Sequence, residues 1–383
     1  MMRNKKERQL QRVVAYICAT LFVVFSFFFV AVYQSPLIEA FYDHVATGKL
    51  EYNGYLVAAI ISPLLTLLAV WLNRLAKFQR EWTAMAYLPS ALLLAFVTDI
   101  DRTIYTGGRS YETWIVIFVS GILLYVILSF VLQRVLFEKI KNLAMSTNRI
   151  VWRNLIIFVL LFGLTGTLSN GEENFKREAL VASRYNDGNA QGALKVGYKS
   201  LDASRELTAM RAYIMANEDM LGQRLFEYPQ YYGADGLLPT VQRTSPLDPA
   251  DVYALIGDTL LENEGCMEYL RRVAHADTLG TPVRDYYLSA LLLDRRVVDF
   301  ESELVAMYGN YSPDSLPKHY REALILLAEF SDDFELVLES DTLFTQFERL
   351  KDVERQYDDA LVRNNYVRKE FGRTYWWYYL YGR

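Results

Sequence analysis

Asp99 and Asp101 end an apolar run, residues 93–102 reading LLAFVTDIDR, with Arg102 directly behind them. Carboxylates at a membrane edge can hold a metal ion, handle a lipid-linked donor or relay protons. Residues two apart point about 200° apart on a helix and face opposite ways in an extended segment. Only an irregular turn would let both converge on one ion. The competing reading is a solvated helix end, with Arg102 or Arg109 as counter-charge, and that is the expectation here. Asp99 and Asp101 are thus the sole catalytic candidates, and weak ones. His44 lies near Glu39, Asp43 and Glu51, but the other histidines are only His275 and His319. No spacing forms a zinc signature, and no Walker, dinucleotide, nucleophile-elbow or metalloprotease motif occurs. No metal and no cofactor is expected.

Five apolar segments surround these residues: 13–33, 55–72, 82–97, 114–132 and 150–168. Each approaches the roughly 20 residues that a membrane helix needs, the third being the shortest. The first is too long for the apolar stretch of a secretory signal and lacks a small-residue cleavage site, so it reads as an anchor. Basic residues favour one side. Arg3, Lys5, Lys6, Arg8 and Arg12 precede the first segment, and Arg74, Lys77 and Arg80 follow the second. Arg134, Lys139, Lys141, Arg149 and Arg153 lie between or flank the last two, whereas the opposite loops hold Lys49, Arg102 and Arg109. This bias predicts a cytoplasmic amino terminus and, after five crossings, a carboxyl-terminal region on the far side. Pro63 and Pro89 fall inside the second and third segments and predict kinks. Ionisable residues are missing from the segment centres, which disfavours ion-coupled transport.

Residues 1–169 carry 16 Lys+Arg against 9 Asp+Glu, whereas residues 170–383 carry 24 against 36. A membrane part is followed by an acidic, water-soluble part, and that acidity disfavours nucleic acid as a partner. Cys18 and Cys266 lie far apart in sequence and in character, so no disulfide is expected. The soluble part shows no strand pattern. Helical stretches of about 12 residues alternate with short breaks. Pro249, Pro282 and Pro317 stand at or near helix starts.

Small residues recur at spacings suited to helix crossings: Ala182, Ala193, Gly197, Ala212, Ala290 and Ala323. With Tyr185, the Asp187–Gly188–Asn189 turn and Tyr198, residues 174–330 resemble degenerate tetratricopeptide repeats, although the early tryptophan is missing. The arrangement is similar to uncharacterised bacterial polytopic membrane proteins with an extracytoplasmic helical-repeat domain. That resemblance implies no particular activity.

The expected fold is all-α. A basic cytoplasmic segment, residues 1–12, leads into a five-helix transmembrane bundle, residues 13–169. A periplasmic helical-repeat domain of the tetratricopeptide type, residues 170–383, follows. The expected location is the bacterial inner membrane, the expected partners are the lipid bilayer and another envelope protein, and the expected role is an interaction or assembly scaffold. The alternative is a membrane-embedded enzyme acting on a lipid-linked substrate through the Asp99–Asp101 loop. Partner contacts are expected at Tyr231 and Tyr232, in the Pro- and Gly-rich break 229–249, and at Trp376 and Trp377 in the tail TYWWYYLYGR. That tail is expected to follow one long helix, residues 343–371, and to cap the last helices.

Overall fold

A computed structural model describes residues 2–46, 52–76, 78, 82–107, 111–131, 147–262, 264–276, 280–309, 312–331 and 342–382. Among these residues there are helices and connections but no strand. The chain divides into two compact units, Met1–Ala179 and Leu180–Arg383. The division falls beyond the last apolar segment, inside a helix.

The first unit contains α1 (Met2–Phe28), which continues through a π turn, Phe29–Tyr33. Then come α2 (Ser35–Ala46), α3 (Gly54–Ala76), a 3-10 turn at Thr83–Tyr87 that leads into α4 (Leu88–Thr98), and α5 (Thr103–Thr106). It ends with α6 (Glu112–Val131), α7 (Thr147–Leu168) and the start of α8 (Glu173–Asn186). Four helices, Gln9–Tyr33, Gly54–Ala76, Glu112–Val131 and Asn148–Leu168, are long and apolar enough to cross a membrane. On α6 the side chains of Ile115, Val116, Val119 and Leu123 are more than 60% exposed. Four such helices, with an apolar surface of this kind facing outward, mark the chain as a membrane protein.

The third apolar segment differs from expectation. It is a 3-10 turn plus an 11-residue helix, about 26 Å long by the rises of those helices. It is also the most enclosed part of the unit: Ala84, Ala86, Tyr87, Ala91, Leu94 and Ala95 are almost fully buried. Its apolar character therefore serves packing against α3, α6 and α7. Pro89 sits at the first turn of α4, where its missing N–H leaves no bond unmade, instead of kinking a continuous helix. Pro63 lies inside α3. Polar groups link these helices. The Asn154 side-chain oxygen accepts from the Ala84 N–H at 2.8 Å, and Ser90 Oγ donates to the Leu65 carbonyl at 2.8 Å. In an apolar setting such bonds satisfy groups that water cannot reach.

The second unit continues α8 and adds α9 (Ala190–Leu194), α10 (Arg205–Asn217), α11 (Leu221–Arg224), α12 (Pro249–Ile256), α13 (Cys266–Ala274) and α14 (Thr281–Leu293). It is completed by α15 (Val297–Tyr308), α16 (Lys318–Phe330), α17 (Thr342–Gln356), α18 (Ala360–Phe371) and α19 (Tyr375–Tyr381). One core runs through it, built on buried residues such as Leu207, Tyr269, Leu288, Phe300, Leu324, Leu350 and Trp376. Each such apolar side chain contributes about 1.5–3 kcal/mol by leaving water.

Two sequence expectations fail locally here. The helix that starts at Ala190 stops at Leu194, because Gly197, expected at a helix crossing, takes a left-handed backbone, φ +63°. Gly197 is thus a turn residue, not a small residue at a helix crossing. The long helix expected over 343–371 is two helices. Asp359 breaks it by accepting from the N–H groups of Leu361 and Val362, capping α18. The break 229–249 is a packed connection: Ala234, Leu237, Leu238 and Leu247 are buried in the core.

Candidate functional site

The opening carboxylates are held apart by different local tasks. Asp99 ends α4, and its Oδ2 accepts from the Trp114 indole at 2.7 Å. Asp101 Oδ1 accepts from the Thr103 N–H at 3.0 Å and from the Thr103 hydroxyl, so it organises the start of α5. Arg102 holds two carboxylates from farther along the chain. Its guanidinium grips the fully buried Glu178 through two parallel bonds of 2.7 and 2.8 Å, and its Nε donates to Glu172 at 2.8 Å. Burial opposes the arginine's charge, but the hydrogen bonds and charge of Glu178 and then Glu172 outweigh it and hold the guanidinium more firmly protonated than usual. Glu172 and Glu178 follow the last span, 70 and 76 residues along the chain, and sequence spacing gave no sign of this lock. Arg109 and Glu51 lie outside the described residues. His44 packs edge-on against Tyr105 at 5.1 Å. Among the described residues no group of His, Cys, Asp or Glu forms a metal-binding cluster.

The second unit gathers the other candidates. Thr374 caps α19 by accepting from the Trp377 N–H at 3.2 Å, which turns the aromatic tail into a seven-residue helix. Tyr375 and Trp376 are fully buried. The Tyr375 N–H donates to Glu322 Oε2 at 2.7 Å, and the Trp376 indole donates to the Glu322 carbonyl at 2.8 Å. His319 Nδ1 meets the same carboxylate oxygen at 2.8 Å. The tail therefore closes the core, as the capping expectation held. Trp376 is corrected as a partner contact, because its ring and its N–H are both consumed internally.

Arg295 completes the closure. At the end of α14 it adopts φ +58° and donates to the carbonyls of Tyr378 and Gly382. The Tyr378 hydroxyl donates to the Leu293 carbonyl at 2.6 Å.

Trp377 takes the opposite face of this short helix. It is half-buried, stacks on Tyr381 with centroids 4.9 Å apart, and lines a cleft of ≈ 730 Å³. Residues 198–201, 226–231, 368–370, 372–373 and part of the tail line the cleft. Tyr231 also lines it. That side chain is 53% exposed and is oriented by its hydroxyl, which donates to the Leu201 carbonyl. The structure thus brings Tyr231 and Trp377 to one cavity. Tyr232 is turned away from the cleft lining, with its hydroxyl donating to the Ala203 carbonyl at 3.2 Å. Cys266, the one cysteine of this unit, donates to the Ala234 carbonyl, and burial pushes its thiol up to about 12.

Residues 257–382 match a family of unknown function (DUF6057). The matched region contains the tail and residues 368–373 of the cleft, but not residues 198–201 or 226–231. No curated protein and no solved structure matches the chain.

Proposed function

We propose that this protein is a membrane-anchored interaction or assembly module of a bacterial envelope complex, and that its second unit engages another envelope protein through the aromatic cleft. The observation that carries the reading is the cleft itself. Tyrosine and tryptophan, the residue types that dominate interface energetics, line it, with Tyr231 exposed and Trp377 half-buried. A cavity of this size admits a short protruding segment or a few side chains, not a globular surface.

The proposed location is the inner membrane, with a cytoplasmic amino terminus, five crossings and a periplasmic second unit. The distribution of basic residues supports it. The fifth crossing requires Thr83–Thr98, which is about 4 Å short of a typical hydrocarbon core, and its enclosure by longer helices makes that length sufficient. The proposed ancestry of the second unit is a degenerate helical repeat. Successive helices α13 to α16 pack each on the next, which is how such arrays bury their faces.

A photo-crosslinking residue in place of Tyr231, in living cells, tests the reading. One reproducible protein adduct is expected there, and none from the same probe at the exposed Val298 on α15. Adducts to lipid or glycan alone at position 231 would remove the protein-interaction role.

A further inference from the structure

We infer that the cleft recognises an acidic segment of its partner, a short peptide carrying several carboxylates around an aromatic or large aliphatic residue. The inference rests on the interaction role proposed above and specifies its chemistry. The second half of the chain is acidic overall, yet the charges at this cleft run the other way. Two carboxylates line it, and each is already paired: Glu227 with Arg224 at 3.0 Å, and Glu370 with Arg349 at 2.5 Å. The cations that line it are not neutralised. Lys199, Arg368 and Lys369 are exposed and have no carboxylate at ion-pair distance among the described residues. Arg373 lies over the Tyr198 ring at 4.2 Å, and no carboxylate among the described residues stands at ion-pair distance from it.

Lys199, Arg368, Lys369 and Arg373 all line the cleft. An occupant meets their positive charge together with aromatic surface from Trp377, Tyr381 and Tyr231. Four cations with no carboxylate at ion-pair distance among the described residues line one cavity, and they favour an anionic occupant by charge complementarity. The aromatic floor adds an apolar anchor, which a purely ionic partner would not use. A peptide supplies both chemistries in a few residues, and the volume fits such a segment.

The full chain in neutral detergent is titrated against a fluorescein-labelled peptide of four glutamates flanking one phenylalanine, read by anisotropy. The matching peptide with four glutamines is the charge control. The glutamate peptide is expected to bind at least tenfold more tightly than the glutamine one, and more weakly as salt rises. Lys199→Glu with Lys369→Glu is expected to weaken it at least tenfold. Lys195→Glu, an exposed cation outside the cleft lining, is expected to leave it unchanged. Equal binding of the two peptides, or indifference to the double reversal, would overturn the inference. So would tighter binding of tetragalacturonate than of the peptide, which would identify an anionic glycan site. A protein adduct at position 231 that survives the double reversal would overturn the acidic-segment inference while leaving the interaction role standing.

Discussion

Asp285 shows what burial does to a single residue in this protein. It lies on α14, and its Oδ1 accepts from the hydroxyls of Tyr320 at 3.0 Å and Tyr308 at 3.2 Å. Burial raises its carboxyl to about 6; the two hydroxyls offset part of that effect, and the charge of Asp219 adds to it. The folded state thus holds a proton more tightly than the unfolded chain, so the carboxyl's contribution is fully present below about pH 4 and is lost as pH rises through about 6. A shift of that size amounts to at most about 3 kcal/mol. Asp285→Asn keeps an oxygen for both tyrosines and removes the charge. Its stability relative to the natural chain is expected to improve between pH 4 and 6 and to stay level above, as read by thermal melts in neutral detergent. A difference independent of pH would show that Asp285 is ionised at no cost. Glu322 is the complementary case, a buried acceptor for His319 and for the tail. Glu322→Ala strands the Tyr375 N–H and the imidazole. It is expected to cost about 3–5 kcal/mol, as for other broken buried pairs, and to red-shift tryptophan emission as Trp376 meets water. Unchanged emission would mean that the tail docks without that carboxylate.

Among the elements, the turn after α9 decides the course of the chain. Gly197 has φ +63°, a region in which Cβ collides with the backbone at a cost of about 1–2 kcal/mol. Asparagine tolerates that conformation better than alanine does, although it is larger. Gly197→Asn is therefore expected to melt closer to the natural chain than Gly197→Ala. The reverse order, following side-chain size, would restore a helix crossing at this position. The α4 segment teaches a related lesson. Hydropathy ranks it with the spans, and yet Asn154 and Ser90 tie it into the middle of the first unit. Hydropathy reports that a side chain avoids water; it does not report whether lipid or protein replaces the water.

For the whole molecule, the sharpest expectation is sidedness. A reporter active only in the cytoplasm is expected to work when fused at Lys77 or Lys141, and to fail when fused after Arg383. Activity at the carboxyl terminus would mean an even number of crossings and would remove the periplasmic placement. The sequence by itself determined the helical class, the membrane half and the acidic half. These depend on composition and on periodicity within about 20 residues, which neighbouring residues set on their own. It also made the aromatic tail legible as a cap, because six aromatic side chains in ten residues need a surface to cover. Only the tertiary structure decided which surface. Glu322, 53 residues before Tyr375, presents the acceptor that draws the tail in, and no local rule links the two. The same holds for the Arg102–Glu178 lock and for the cleft. Lys199 and Lys369 are unremarkable alone, and the basic run beside the tail reads as a solvated helix face. They line a common cavity because Arg373, just before the tail, lies over Tyr198 in the turn after α9, and contacts across such separations are set by packing that pattern alone does not encode.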